Sequence, residues 1–255
     1  MKAIWLTILA LILGFAAQAQ TVLFSRSAAF RGDITTGLLA HWKLDEASGN
    51  AVDSSGNGLT MTQSGTVPAT SPGRGPFTSA NFFSSSSASL QGLNAADWTM
   101  TVWFNTSSDD GNYQTLLGQA ENTAGSAFWH LVNVDPNPTV NIVGSVVNAS
   151  NPADGLYAGA STTATTGGWN FAAFVWVAST KTLYVSVNNG AFGSSSTSFT
   201  PGTGTITTCI GKRTWAGSEW PATVTTMQKI RIYTRALSTS DLGILYNGGT
   251  VGTAP

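Results

Sequence analysis

Charge is scarce in this chain. Asp, Glu, Lys and Arg together make up 9% of its 255 residues, against about a quarter in an average globular protein. Helices with a solvated face draw heavily on Lys and Glu. The shortage therefore argues against a mainly helical fold and leaves Ser, Thr, Gly and Asn to clothe the surface, as they do on half-exposed strands. Net charge is −1 and the cations are scattered, the tightest group being Lys212-Arg213. Neutralising a phosphate backbone needs a clustered basic face, so nucleic acid is excluded as a partner.

Catalytic groups are scarce too. The three glutamates, Glu46, Glu121 and Glu219, never fall two to a predicted strand, whereas glycoside hydrolysis needs two carboxylates about 5–9.5 Å apart. There is no His-Glu-x-x-His, no Gly-x-Ser-x-Gly and no phosphate loop. Both histidines, His41 and His130, lie inside apolar runs. The single cysteine, Cys209, excludes an internal disulfide; within the strand-like run 206–210 it reads as a small buried hydrophobe.

Long apolar runs are absent but for one. Residues 4–17 follow Lys2 and precede Ala17-Gln18-Ala19, a small-x-small cleavage pattern. The run falls short of the roughly 20 residues that a spanning helix requires. It predicts a signal peptide over residues 1–19, and hence a protein that is secreted or held at the cell surface with no transmembrane segment after cleavage.

Aromatic residues, by contrast, are plentiful, with 9 Trp and 12 Phe to fill a core. They fall in short runs of period two. Leu38, Ala40, Trp42 and Leu44 alternate with Leu39, His41 and Lys43; Trp98, Met100, Val102 and Phe104 alternate with Thr99, Thr101 and Trp103. Residues 169–177 (WNFAAFVWV) are apolar on both parities, the mark of a central strand. Residues 183–187 lead into Asn188-Asn189-Gly190, a positive-φ turn, and Ile230 and Ile232 alternate with Lys229, Arg231 and Tyr233. Weaker strand signals cover 128–134, 140–147 and 206–210. Turn clusters at 54–58, 71–76, 109–111 and 201–202, and a serine run at 84–87, read as loops. Ser238 with Asp241, ahead of Leu242 and Leu245, forms a helix start of capping-box type that Asn247-Gly248-Gly249 stops. The expected architecture is an all-β antiparallel two-sheet sandwich with one short C-terminal helix at the sheet edge. After a lead-in over 20–36 it forms one domain over 37–255.

Five segments in order carry a resemblance. Residues 37–46 (GLLAHWKLDE) with 52–58 (VDSSGNG), residues 98–104 (WTMTVWF), 168–171 (GWNF), 183–188 (LYVSVN) and 230–238 (IRIYTRALS) resemble the laminin-G-like jelly-roll domains of the concanavalin A-like lectin/glucanase group, pentraxins included. The resemblance covers 37–249 and implies a jelly roll. It also implies calcium in some members, held by acidic loop residues and carbonyls. Two departures stand out: Gln228-Lys229 replaces the Asp-Glu usual before the closing strand, and Asn170-Phe171 replaces a pair of histidines.

A structural calcium ion is accordingly expected, if anywhere, at Asp53 and Asn57, because calcium takes six to eight oxygens; Asp109-Asp110-Gly111 reads as a plain hairpin tip. Sugars stack their apolar faces on aromatic rings while short polar groups read the hydroxyls. Trp103, with Thr99 and Thr101 on the same strand face, and the loop residues Trp215 and Trp220 are the candidate ligand contacts. Trp42, Trp98 and Trp169 are assigned to the core. The expected function is an exported, non-enzymatic recognition or cell-adhesion module for a glycan or a surface protein. A structural or assembly protein of a cell surface or virion is the second reading, and a polysaccharide-active enzyme the third.

Overall fold

The computed structural model describes residues 34–107, 114–119, 130–135, 140–148, 155–160, 162–202, 207–215, 218–219, 221–223 and 225–248. In chain order its strands are β1 (Leu38–Trp42), β2 (Thr62–Ser64), β3 (Phe82–Ser85), β4 (Trp98–Thr106), β5 (Gln114–Gln119), β6 (His130–Asp135), β7 (Asn141–Val147), β8 (Gly155–Gly159), β9 (Asn170–Val177), β10 (Thr182–Val187), β11 (Gly193–Ser196), β12 (Thr208–Ile210), β13 (Thr214–Trp215), β14 (Ser218–Glu219) and β15 (Thr225–Tyr233). One helix, α1 (Thr239–Tyr246), follows them.

Two antiparallel sheets result. The first runs β1-β15-β4-β9-β10-β11 and the second β2-β3-β12-β5-β6-β7-β8; β13 and β14 form a separate two-stranded ribbon. Strands far apart in sequence are neighbours, as in the pairing of β15 with β4 and of β1 with β15. The fold is the antiparallel β-sandwich that the period-two pattern implies. Its core is the inward parity of both sheets: Trp42, Trp98, Met100, Phe104, Phe174, Trp176, Leu183, Val185, Ile230 and Ile232 from the first, and Phe83, Leu117, Ile142 and Ile210 from the second. Full burial of a Phe or Leu side chain contributes roughly 1.5–3 kcal/mol. Gly144 on β7 lies at a close approach of the layers, since a Cβ there would press on Phe174 and Leu183 of the opposite sheet.

The chain divides into two compact units, Gly37–Leu237 and a second made of Met1–Thr36 with Ser238–Pro255. In the second unit α1 has the full capping box. Ser238 Oγ accepts from Asp241 N, and Asp241 Oδ2 accepts from Ser238 N, both at 3.1 Å. Asp thus does the work of the usual Glu at this position.

Several expectations change. The serine run is not all loop, because Ser84 and Ser85 close β3 and pair with Cys209 and Thr208. Trp169 is half-buried, and Trp176 takes its place among the fully buried side chains. Cys209 is half-buried as well: Thr208 and Ile210 hold the inward positions of β12 and turn the thiol to the other face. The turn cluster at 71–76 is a loop clamped onto β15. Arg74 exchanges both backbone hydrogen bonds with Met227, at 3.0 and 2.9 Å. Gly73 permits this approach: its φ is +97°, and a Cβ there would run into the Met227 carbonyl.

Candidate functional site

Strand β4 sets the site. Its even positions feed the core, so Thr99, Thr101, Trp103 and Asn105 share the outer face of the first sheet. Trp103 is half-buried in the middle of that row. Its cross-strand partner on β9 is Phe171, whose ring lies 5.5 Å away, centroid to centroid, at an interplanar angle of 50°. The Trp103 ring is thereby braced in one orientation. Thr99 and Thr101 are both buried. Thr99 Oγ1 donates to Arg235 O at 2.8 Å and accepts from Leu237 N at 2.9 Å, so this hydroxyl fastens the chain that follows β15.

Strand β15 brings charge to the same face by breaking its own alternation. Gln228 pairs with Trp103 and Arg231 with Thr101, so three steps on β15 match two on β4. The extra residue is a β-bulge, with Lys229 at a φ of +50°. Without it Met227 and Ile230 could not both face the core. With it Gln228 and Arg231 both face outward. Arg231 is opposite Thr101 on one side and His41 of β1 on the other, so His41, Arg231 and Thr101 form one cross-strand row.

The row is positively charged. Burial pushes the His41 pKa down to about 4, and the charges of Arg231, Lys43 and Lys229 press it the same way against Asp53. Burial also lowers the pKa of Arg231, with Tyr233 acting in the opposite direction. Among the described residues Arg231 has no carboxylate partner. No sequence pattern marks this cluster. His41 and Arg231 are 190 positions apart, and only the register of β1 on β15 makes them neighbours.

The loop after β1 was the candidate calcium site. Asp53 Oδ1 accepts from His41 N at 3.0 Å and Ser55 N at 2.8 Å, while Oδ2 accepts from Ser55 Oγ at 2.8 Å and Leu59 N at 2.9 Å. Burial alone would raise the Asp53 pKa, but these bonds together hold the carboxyl below its usual range. Asn57 turns its amide nitrogen toward β1, donating to Leu38 O at 3.0 Å and Leu39 O at 2.9 Å. A calcium ion would compete with four donors for one carboxylate, and no group of three His, Cys, Asp or Glu side chains gathers among the described residues. As placed, these residues do not fit a calcium shell. They build the turn.

The backbone of Trp215 lies in β13, paired with Ser218. Trp220 and Asp109-Asp110-Gly111 lie outside the described residues. Lys212 beside this ribbon makes an ion pair with Glu219, donates to Ser79 O at 2.8 Å and stands 4.4 Å over the Phe82 ring. Asn170, where the resemblance led one to expect histidine, is buried and staples the start of β9: it accepts from Thr165 N at 2.9 Å and donates to Thr165 O and Gly168 O.

Comparison with known proteins bears on this arrangement. No curated protein matches the chain in sequence. Solved structures do match in shape. One is a Trypanosoma rangeli sialidase in complex with 2,3-difluorosialic acid, 12% identical with a TM-score of 0.60 over 86% of this chain and 34% of that one. The binding domain of botulinum neurotoxin DC matches in complex with rat synaptotagmin II, 10% identical with a TM-score of 0.60 over 86% and 53%. It also matches in complex with SialylT, at 11% and 0.57 over the same shares. At such identities the likeness is one of fold, and the chain spans between 34% and 53% of the length of these three. A family model, Laminin_G_3, matches residues 77–243. By that match the chain belongs to the concanavalin A-like lectin/glucanase superfamily.

Proposed function

We propose that this chain is an exported, non-enzymatic recognition module that binds carbohydrate across the outer face of the first sheet, with Trp103 as its stacking platform. The observation that carries this reading is the Trp103 ring, half-buried at the centre of that face and braced on Phe171. An aromatic ring held in one orientation offers an apolar surface to a pyranose at little further loss of entropy. Lectin-like relatives whose complexes contain a sialic acid analogue, SialylT or a synaptotagmin support recognition as the theme of the fold. Export rests on the apolar run at 4–17 and the Ala17-Gln18-Ala19 pattern.

The test is a glycan array read with the full chain and with Trp103→Ala. Binding to a defined set of sugars is expected, weakened about tenfold by the substitution, the loss of one well-placed stacking contact. A blank array together with discrete oligomers in solution would overturn the reading in favour of an assembly protein. Turnover of a polysaccharide would overturn its non-enzymatic part.

A further inference from the structure

A two-sheet sandwich has strand edges, and an unpaired edge is a template on which another chain can add a strand. Here the edges are β1 and β11 in the first sheet and β2 and β8 in the second. β8 and β11 shield each other: a Cβ on Gly193 would fall on the Gly159 carbonyl. β2 is three residues long, and Asn50 Oδ1 accepts from its Gln63 N. β1 is five residues long and pairs with a strand, β15, on one side only.

The other side of β1 is closed by a strap, residues 53–57, that is not a strand. His41 N donates to Asp53 Oδ1 at 3.0 Å, and His41 O accepts from Ser54 N at 2.7 Å. Leu39 O accepts from Ser55 Oγ at 3.2 Å and from Asn57 Nδ2 at 2.9 Å, and the same amide reaches Leu38 O at 3.0 Å. Of these bonds only the one from Ser54 comes from the backbone of the strap. Behind it the loop is anchored, since Ala51 and Met61 exchange both backbone hydrogen bonds and Trp42 Nε1 donates to Leu59 O at 2.8 Å. Side chains thus satisfy the edge without setting out a new row of N–H and C=O groups, and the sheet stops here. We propose that residues 53–57 are a guard, and that the β1 edge beneath them is a latent surface for pairing with a second copy of this chain. The edge is self-complementary: the N–H and C=O of His41 both point to the strap, and antiparallel partners exchange both bonds. Two such edges meeting about a twofold axis join two first sheets into one.

Asn57→Asp keeps the shape of the side chain and puts an acceptor where the donor to Leu38 O and Leu39 O stood. Sedimentation velocity of the full chain and of this variant, with hydrogen exchange of the His41 amide at low and high protein concentration, tests the proposal. The variant is expected to self-associate about tenfold more tightly than the unaltered chain, the effect of one lost hydrogen bond in the guard. Its His41 amide should exchange fast when dilute and slowly when concentrated, whereas that of the unaltered chain stays slow at both. Should Asn57→Asp fail to fold, Ser55→Ala, which removes one bond to Leu39 O, is read in the same way with a smaller shift expected. A folded variant that associates no more than the unaltered chain would overturn the latent surface. Association that leaves His41 exchange independent of concentration would place the contact elsewhere and overturn β1 as its site. Exchange at His41 that slows with concentration in the unaltered chain would show an edge already open and overturn the guard.

Discussion

Arg74 and Arg231 are both buried, at 0% and 8% exposure, and they are solved in opposite ways. Around Arg74 the protein supplies the partners. Nε and Nη2 donate to Val67 O at 3.2 and 2.6 Å, Nη2 also to Gln63 Oε1 at 2.6 Å, and Nη1 to Glu46 O at 3.2 Å, while the guanidinium lies 5.2 Å from the centre of the Phe83 ring. Two loops and β2 converge on one cation and are joined by it. Around Arg231 the strands set out donors and acceptors and leave them unmatched. The lesson is that burial alone does not tell which charge the fold depends on. The partners do.

The comparison can be broken by deleting each guanidinium in turn. Arg74→Leu strands the Val67 and Glu46 carbonyls inside the protein and is expected to destabilise it by about 3 kcal/mol or more. Arg231→Leu removes a buried charge that has no protein partner, and should leave the unfolding midpoint unchanged or raised. Urea denaturation of both variants measures this. Equal losses would show that Arg231 is as much a part of the fold as Arg74.

Gly73→Ala sharpens the structural side. The new Cβ meets the Met227 carbonyl, and the residue keeps a φ that L side chains rarely adopt. A loss of about 2 kcal/mol is expected, read in the same denaturation experiment. The same substitution at Gly56, which also has a positive φ but open space around it, should cost about half as much.

These two regions also mark what the sequence could and could not disclose. The core of the first sheet was legible, because β1, β4, β9 and β10 each keep strict alternation or an unbroken apolar run. So was the Ser238–Asp241 capping box. β15 was legible only from Lys229 onward: the bulge reverses the parity between Met227 and Ile230, so the first half of the strand reads as noise. β2, β11 and the Ser84-Ser85 end of β3 are short and polar, and their pairing comes from neighbours, not from their own pattern. Trp103 could be named from one strand. The His41–Arg231 pair could not, since cross-strand register is decided by the whole sandwich. Asp53 and Asn57 had the right composition for calcium, yet their hydrogen bonds go to the backbone and to the Ser55 hydroxyl, which composition does not reveal.

A smaller effect separates the two regions by pH. Folding holds the His41 pKa at about 4, below the ordinary 6.5, chiefly through burial, with Arg231, Lys43 and Lys229 acting in the same direction and Asp53 against them. Below pH 6.5 the unfolded chain therefore takes up a proton that the folded chain refuses. Stability present at neutral pH is lost as pH falls from 6.5 toward 4, and that loss is complete once the folded form also titrates. Asp53 acts in the next window: its folded pKa lies below 3.8, so its contribution holds above that value and disappears as pH falls through the lower one. The Arg74 cluster contains no histidine, so acid should loosen the His41 side first. Melting temperature followed from pH 7 to 3 should show both steps, with His41→Gln flattening the upper one alone. A profile unchanged by that substitution would mean that the folded chain does not hold the imidazole neutral, and the burial of His41 would lose its simplest measurable consequence.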